Sequence, residues 1–153
     1  MTERPPGPRP CAEAVLLRDG EVLLMRRARD PWRNAWEVPG GFCEPAEHPR
    51  DTAERELREE LGICARAVAY LGAWIDRYGP ADAAGTLNCA YLLVPETADP
   101  PLHLQAEEVL EAAWFELSAP PSPLAFPDHM GRLLAAAARI DPAAPPAMLD
   151  DAQ

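Results

Sequence analysis

The sequence predicts an α/β domain in which a mixed β-sheet is sandwiched between helices, an α/β/α arrangement. Three features lead there: two short apolar runs joined by Asp19-Gly20, one well-delimited helix over residues 49–61, and three later strand-like runs followed by a second helix. Asp-Gly between apolar runs is the strongest short-range hairpin signal, so residues 12–17 and 21–25 read as the arms of a hairpin. Pro31 then interrupts the pattern. The segment 36–42 passes through Pro39-Gly40-Gly41, a turn that lets backbone approach a neighbour closely. In 49–61 proline occupies the first turn, strong helix formers follow, and Gly62 is placed as the stop. Residues 65–75, 87–94 and 112–116 read as strands, and a late helix is expected between 127 and 140.

A length of 153 residues suits one domain. Four of the first ten residues are proline, and the last thirteen mix prolines with alanines and acids. The expected organisation is a disordered segment 1–10, a folded domain 11–140 and a disordered tail 141–153. Twenty-five acids face 14 bases, all of them arginine, for a net charge of −11. That balance repels phosphate backbones and anionic lipid, which argues against a nucleic-acid polymer or a membrane as partner. A small anion bridged by a cation is compatible with it. No apolar run is long enough to span a bilayer or lead export. Cys11, Cys43, Cys64 and Cys89 are widely spaced without a C-x-x-C pair, which predicts buried reduced thiols and a cytoplasmic location rather than a zinc site.

On the 49–61 helix, Ala53, Leu57 and Leu61 recur every four residues and form the core-facing stripe. Glu56, Glu59 and Glu60, related as i, i+3 and i+4, project to one side. Like charges at that spacing repel, so they form either a solvated acidic face or a cation site. The glycine turn, with carbonyl oxygen to offer, and Glu47 favour the cation. Oxygen-only ligands suit magnesium first and manganese second.

Residues 41–63 read GFCEPAEHPRDTAERELREELGI, and this resembles the Nudix box, G-x5-E-x7-R-E-U-x-E-E-x-G-U with U aliphatic, at every fixed position. Those positions are Gly41, Glu47, Arg55, Glu56, Leu57, Glu59, Glu60, Gly62 and Ile63. The lead-in Trp36-Glu37-Val38-Pro39-Gly40 and the segment 111–115 are also similar to the family, so the resemblance covers roughly residues 11–140. His48 departs from it, standing where serine or threonine often caps the helix.

The resemblance implies the Nudix fold and a Mg2+-dependent hydrolase, with Mn2+ able to substitute, that cleaves the pyrophosphate of a nucleoside diphosphate linked to another moiety. ADP-ribose or a related nucleotide sugar or dinucleotide is the expected substrate. The alternatives are a (d)NTP pyrophosphohydrolase for pool sanitation and a non-catalytic nucleotide-sensing module; the complete box speaks against the last. The implied metal ligands are Glu56, Glu59, Glu60 and the Gly40 carbonyl, with Arg55 and Glu47 holding them. The general base is either a box glutamate or a later acid, Glu107, Glu108 or Glu111. Arg26 or Arg27 is the expected phosphate contact, because a guanidinium binds two oxygens at once. Tyr78, with Trp32, Trp36 and Trp74, is a candidate base-stacking ring, and the loop 76–86 is expected to shape the pocket. Many relatives are homodimers, although no residue here demands one.

Overall fold

The computed structural model describes residues 3–140; the tail expected over 141–153 lies outside the described residues, as do Met1 and Thr2. The elements run β1 (Arg9–Val15), β2 (Leu17–Arg18), β3 (Glu21–Arg27), β4 (Trp36–Glu37), β5 (Gly40–Phe42), α1 (Pro49–Leu61), β6 (Ala65–Asp76), β7 (Thr86–Pro95), β8 (Val109–Glu116) and α2 (Pro127–Ala138). Arg9 and Pro10 pair with Thr86 and Leu87, so ordered structure starts two residues inside the expected leading segment.

The strands form two four-stranded sheets. One is mixed, in the order β5-β1-β7-β6, with β1 parallel to β7 and the other pairs antiparallel. In the other, β3 pairs with β8 along one edge and with β2 and β4 along its opposite edge, all antiparallel. The Asp19-Gly20 turn is present, with both residues at positive φ as a tight two-residue hairpin requires. Its first arm is only Leu17–Arg18. The preceding run, expected to belong to the same hairpin, pairs with β5 and β7 in the other sheet instead. A turn signal fixes the local reversal and says nothing about which partner the longer strand takes.

Side-chain alternation along the strands places the helices on opposite faces. Ala12, Ala14, Leu16, Leu23 and Met25 pack with Ala53, Leu57 and Leu61 of α1. Val15, Val22 and Leu24 pack with Met130, Leu133, Leu134 and Ala137 of α2. Helix α1 ends at Gly62, whose φ of 71° is left-handed and whose N–H donates to the Arg58 carbonyl. At its start the His48 ring nitrogen Nδ1 accepts from the Arg50 N–H at 3.1 Å, so the departure from serine or threonine leaves the cap function intact. No helix among the described residues is long and apolar enough to cross a membrane.

Leu57, fully buried under α1, anchors this helix. Leu57→Ala is expected to cost about 2–5 kcal/mol, read as a lower urea midpoint with an unchanged m-value.

Candidate active site

The glycine turn and α1 build the site between them. Gly40 and Gly41 lie opposite Glu13 and Ala12 on β1, and the Pro39 carbonyl accepts the Ala14 N–H at 2.8 Å. A Cβ on Gly40 would stand 2.5 Å from the Ala12 carbonyl oxygen, and one on Gly41 would stand 2.5 Å from Glu56 Oε1. Only glycine allows both approaches, one to backbone and one to a carboxylate.

Arg55 gathers the acids. Its Nε and Nη2 donate to the two oxygens of Glu47 at 2.8 and 2.9 Å, and Nη2 also donates to the Phe42 carbonyl at 3.1 Å. Nη1 donates to Glu56 at 3.0 Å and to Glu59 at 3.1 Å. Glu47 accepts from Thr52 as well, at 2.6 Å. The Arg55 hydrogen bonds hold the Glu47 carboxyl down to about 2, despite an opposing contribution from desolvation, so it stays anionic.

Glu60 and Glu56 are in the opposite condition. Glu60 is 5% exposed and accepts the Gly40 N–H at 2.8 Å. Burial raises it well above the usual carboxylate range, and the charges of Glu37 and Glu56 add to this. Glu56 is raised by burial as well, with Arg55 opposing and Glu59 and Glu108 adding. Among the described residues no three acidic, histidine or cysteine side chains are already grouped as a metal-holding set: Glu56 and Glu59 lean on Arg55, and Glu60 on an amide. The donor chemistry nevertheless fits a hard divalent cation, since it is all oxygen and carries buried negative charge that a cation would offset.

These groups line a cleft of about 390 Å³. Gly40, Arg55, Glu56, Glu59, Glu60, Arg27, Tyr78 and Glu108 all face it. Arg26 and Glu111 are not among its lining residues. They sit opposite each other on β3 and β8 and form an ion pair at 3.1 Å, with Arg26 also donating to Asn34. Arg27 turns inward, but its charge is spent on Glu37 at 2.9 Å and its Nε on the Pro31 carbonyl at 2.8 Å. The more exposed arginine at the cleft is Arg29, 2.8 Å from Glu108. Glu107 contributes its carbonyl to Arg29 rather than its side chain to the cleft. Of the four candidate rings only Tyr78 lines the site, while Trp36 is buried edge-on against Phe115 at 4.7 Å. Cys11 is buried and its thiol is pushed up to about 12 by desolvation; Cys43 and Cys89 are half-buried, and Cys64 is exposed, against the expectation of four buried thiols.

Sequence reasoning missed the polar wall beside the glycine turn. Glu13, Glu37, Asn88, Thr86 and His129 line it, with Phe42 and Phe126. His129 is 2% exposed and sits between two acids, with Nε2 2.6 Å from Glu13 Oε1 and Nδ1 2.7 Å from Asp76 Oδ2. The available signal was an acid inside each buried strand, Glu13 between alanines and Glu37 after a core tryptophan, together with a histidine on an apolar helix.

A family model described as "NUDIX domain" matches residues 7–137. The chain is 28% identical over 67 residues to an ADP-ribose pyrophosphatase of Methanocaldococcus jannaschii, covering 44% of this chain and 40% of the relative. It is 46% identical over 59 residues to a CTP pyrophosphohydrolase of Escherichia coli, covering 38% and 44%. The matches thus span less than half the length of these relatives. A MutT Nudix hydrolase from Burkholderia pseudomallei superposes with a TM-score of 0.73 at 27% identity, covering 85% of this chain and 98% of that one.

Two outcomes follow from the geometry. Gly41→Ala displaces a flexible carboxylate rather than backbone, so it is expected to weaken Mn2+ binding roughly tenfold or more while thermal unfolding stays near wild type. The second concerns pH. Burial alone would lower His129, but its bonds and charges with Glu13 and Asp76 overcome this and raise it to about 9 from 6.5. A raised value stabilises fully below pH 6.5 and is lost as pH climbs through 9, on the order of 3 kcal/mol. Glu37, pushed to about 7 by burial against the pull of Arg27, titrates below that window. The melting temperature is expected to fall between pH 7.5 and 9.5, and the slope to flatten in His129→Gln.

Proposed function

The chain belongs to the Nudix domain family, and on that premise we propose that it hydrolyses the pyrophosphate of a small nucleoside diphosphate linked to another moiety. The observation that carries the proposal is the cluster of Glu56, Glu59 and Glu60 against the Gly40-Gly41 turn, held by Arg55 in a cleft of single-nucleotide size. These carboxylates and the Gly40 carbonyl would hold Mg2+, or Mn2+ in its place. When bound, the cation polarises phosphoryl oxygens and makes water a stronger nucleophile.

The protein's own groups do the rest. Arg55 keeps Glu56 and Glu59 in place, as an outer partner does for ligating carboxylates. Glu108, which lines the cleft and pairs with Arg29 at 2.8 Å, is the later acid placed to take the proton of the attacking water, whereas Glu111 lies outside the cleft lining. Arg29, which lines the cleft while pairing with Glu108, is better placed to meet a phosphate than Arg26, which lies outside the lining. Tyr78 and the 76–86 loop close one side. ADP-ribose or a related nucleotide sugar or dinucleotide is the substrate favoured here, in keeping with the name of one relative; the other relative keeps (d)NTPs as the second reading. Four unpaired thiols suit action in a reducing cytoplasm.

The test is a panel of ADP-ribose, nucleotide sugars, dinucleotides, (d)NTPs and a 5′-triphosphorylated RNA, each incubated with Mg2+ and resolved by chromatography. Cleavage of ADP-ribose to two monophosphates is expected. Turnover of (d)NTPs alone would select the second reading, and no turnover by folded protein would sink both. Glu60→Gln, which removes one ligand charge, is expected to lower kcat on the order of a hundredfold.

A further inference from the structure

Beyond the paired residues Asp76 and Thr86, which end the β6–β7 ladder, the segment 77–85 carries one cleft-lining side chain, Tyr78. Arg77, Pro80, Ala81 and Ala83 are exposed, and most of the segment is glycine, alanine and proline. A loop of that composition has little apolar surface of its own to order it. Asp82 supplies the order instead. Its side chain is only 9% exposed, so it is turned into the loop rather than toward solvent. Oδ2 accepts the Tyr78 N–H at 2.8 Å and Oδ1 accepts the Gly85 N–H at 3.0 Å, while the Asp82 N–H donates to the Gly79 carbonyl at 3.2 Å. One carboxylate thus captures amides from both ends of the segment. The Tyr78 N–H above all, with the Gly85 and Ala84 N–H groups and the Arg9 charge, holds the Asp82 carboxyl below its ordinary range against desolvation.

Arg9 braces the same loop from β1. Its backbone N–H donates to the Gly85 carbonyl at 3.1 Å, and its Nη2 stands 3.7 Å from Asp82 Oδ2. An exposed ion pair at that distance contributes little by itself. The guanidinium is also fixed over Phe42, 4.4 Å from the ring centroid, and Phe42 directly follows the glycine turn. Tyr78 is the side chain this arrangement aims. Its ring lies 5.2 Å from Phe42 and stacks 5.8 Å from Phe126 at the start of α2. With its backbone held by Asp82 and its ring held by two neighbours, Tyr78 keeps one place with no ligand present. A nucleotide then meets a wall already formed, and its binding loses none of the loop's freedom.

We infer that Asp82, with Arg9 behind it, is a positioning residue for substrate binding: it locks Tyr78 into the cleft wall in advance, so that the affinity for the nucleotide, and not the rate of its cleavage, depends on it. The inference rests on the preceding reading only in taking a nucleotide as the ligand of the cleft. Neither Asp82 nor Arg9 is among the cleft-lining residues, so both act through Tyr78.

Limited trypsin digestion reads the loop directly. Arg77 is exposed, and the peptide bond after it bears the Tyr78 N–H that Asp82 holds. In Asp82→Ala, cutting after Arg77, identified by fragment mass, is expected to speed up by about tenfold or more, with Mn2+ affinity unchanged. On the nucleotide that wild type cleaves, KM is expected to rise by about tenfold while kcat stays within about twofold. Asp82→Asn, which keeps one oxygen, should fall between, and Arg9→Ala should move the same way. Equal cutting of wild type and folded Asp82→Ala would overturn the inference, as would an unchanged KM in a protein cut faster, or a loss confined to kcat. If Asp82→Ala does not fold, Asp82→Asn carries the same comparison. Should wild type turn over no nucleotide, the hydrolase reading fails, and calorimetric binding of ADP-ribose by wild type against Asp82→Ala decides this one: equal affinity sinks it. Turnover with an unaltered KM sinks this inference alone.

Discussion

The fork of Arg55 is the contact on which the site depends. One guanidinium donates to both oxygens of Glu47, the Phe42 carbonyl, Glu56 and Glu59, and so ties the 44–47 loop, β5 and helix α1 into one unit. A lysine has neither the planar fork nor enough donors for this. Without it, three glutamates one turn apart would repel one another and the helix face would lose its geometry. The glycine turn is the counterpart constraint. Because Gly41 carries no side chain, Glu56 can lie against β5, and because Gly40 carries none, β5 can lie against β1.

The cleft that results is divided by charge state. At the α1 end, buried carboxylates are raised by desolvation and by one another, a condition that a cation relieves. Beside it, His129 bridges Glu13 and Asp76, and Arg27 answers Glu37, so these buried acids are met within the protein. The global charge of −11 disfavours polyanions in general, and the local arrangement admits a small one.

Much of this was legible in the sequence, for identifiable reasons. Helix α1 falls on residues 49–61 as expected because proline, helix formers and Gly62 all agree. Glu56, Glu59 and Glu60 were readable because helical spacing fixes which side chains share a face. The division into two sheets was not readable: the apolar run before Asp19 looks like one hairpin arm, and its pairing with β5 and β7 is set by contacts distant in the chain. Arg26 and Arg27 could not be separated by type, and only the register opposite β8 assigns Arg26 to Glu111. The Glu13–His129–Asp76 chain joins residues up to 116 positions apart, and nothing local announces it.

The most direct measurement of the central claim is a double-mutant cycle on Arg55 and Glu47, read as Mn2+ affinity by electron paramagnetic resonance. Wild type, Arg55→Lys, Glu47→Gln and the double variant would be titrated in parallel, with unfolding followed to confirm the fold. If the fork organises the ligands, each single change weakens binding by roughly 10- to 100-fold and the double variant is no weaker than the worse single one. Affinity at the wild-type level in Arg55→Lys, or losses that simply add, would contradict it.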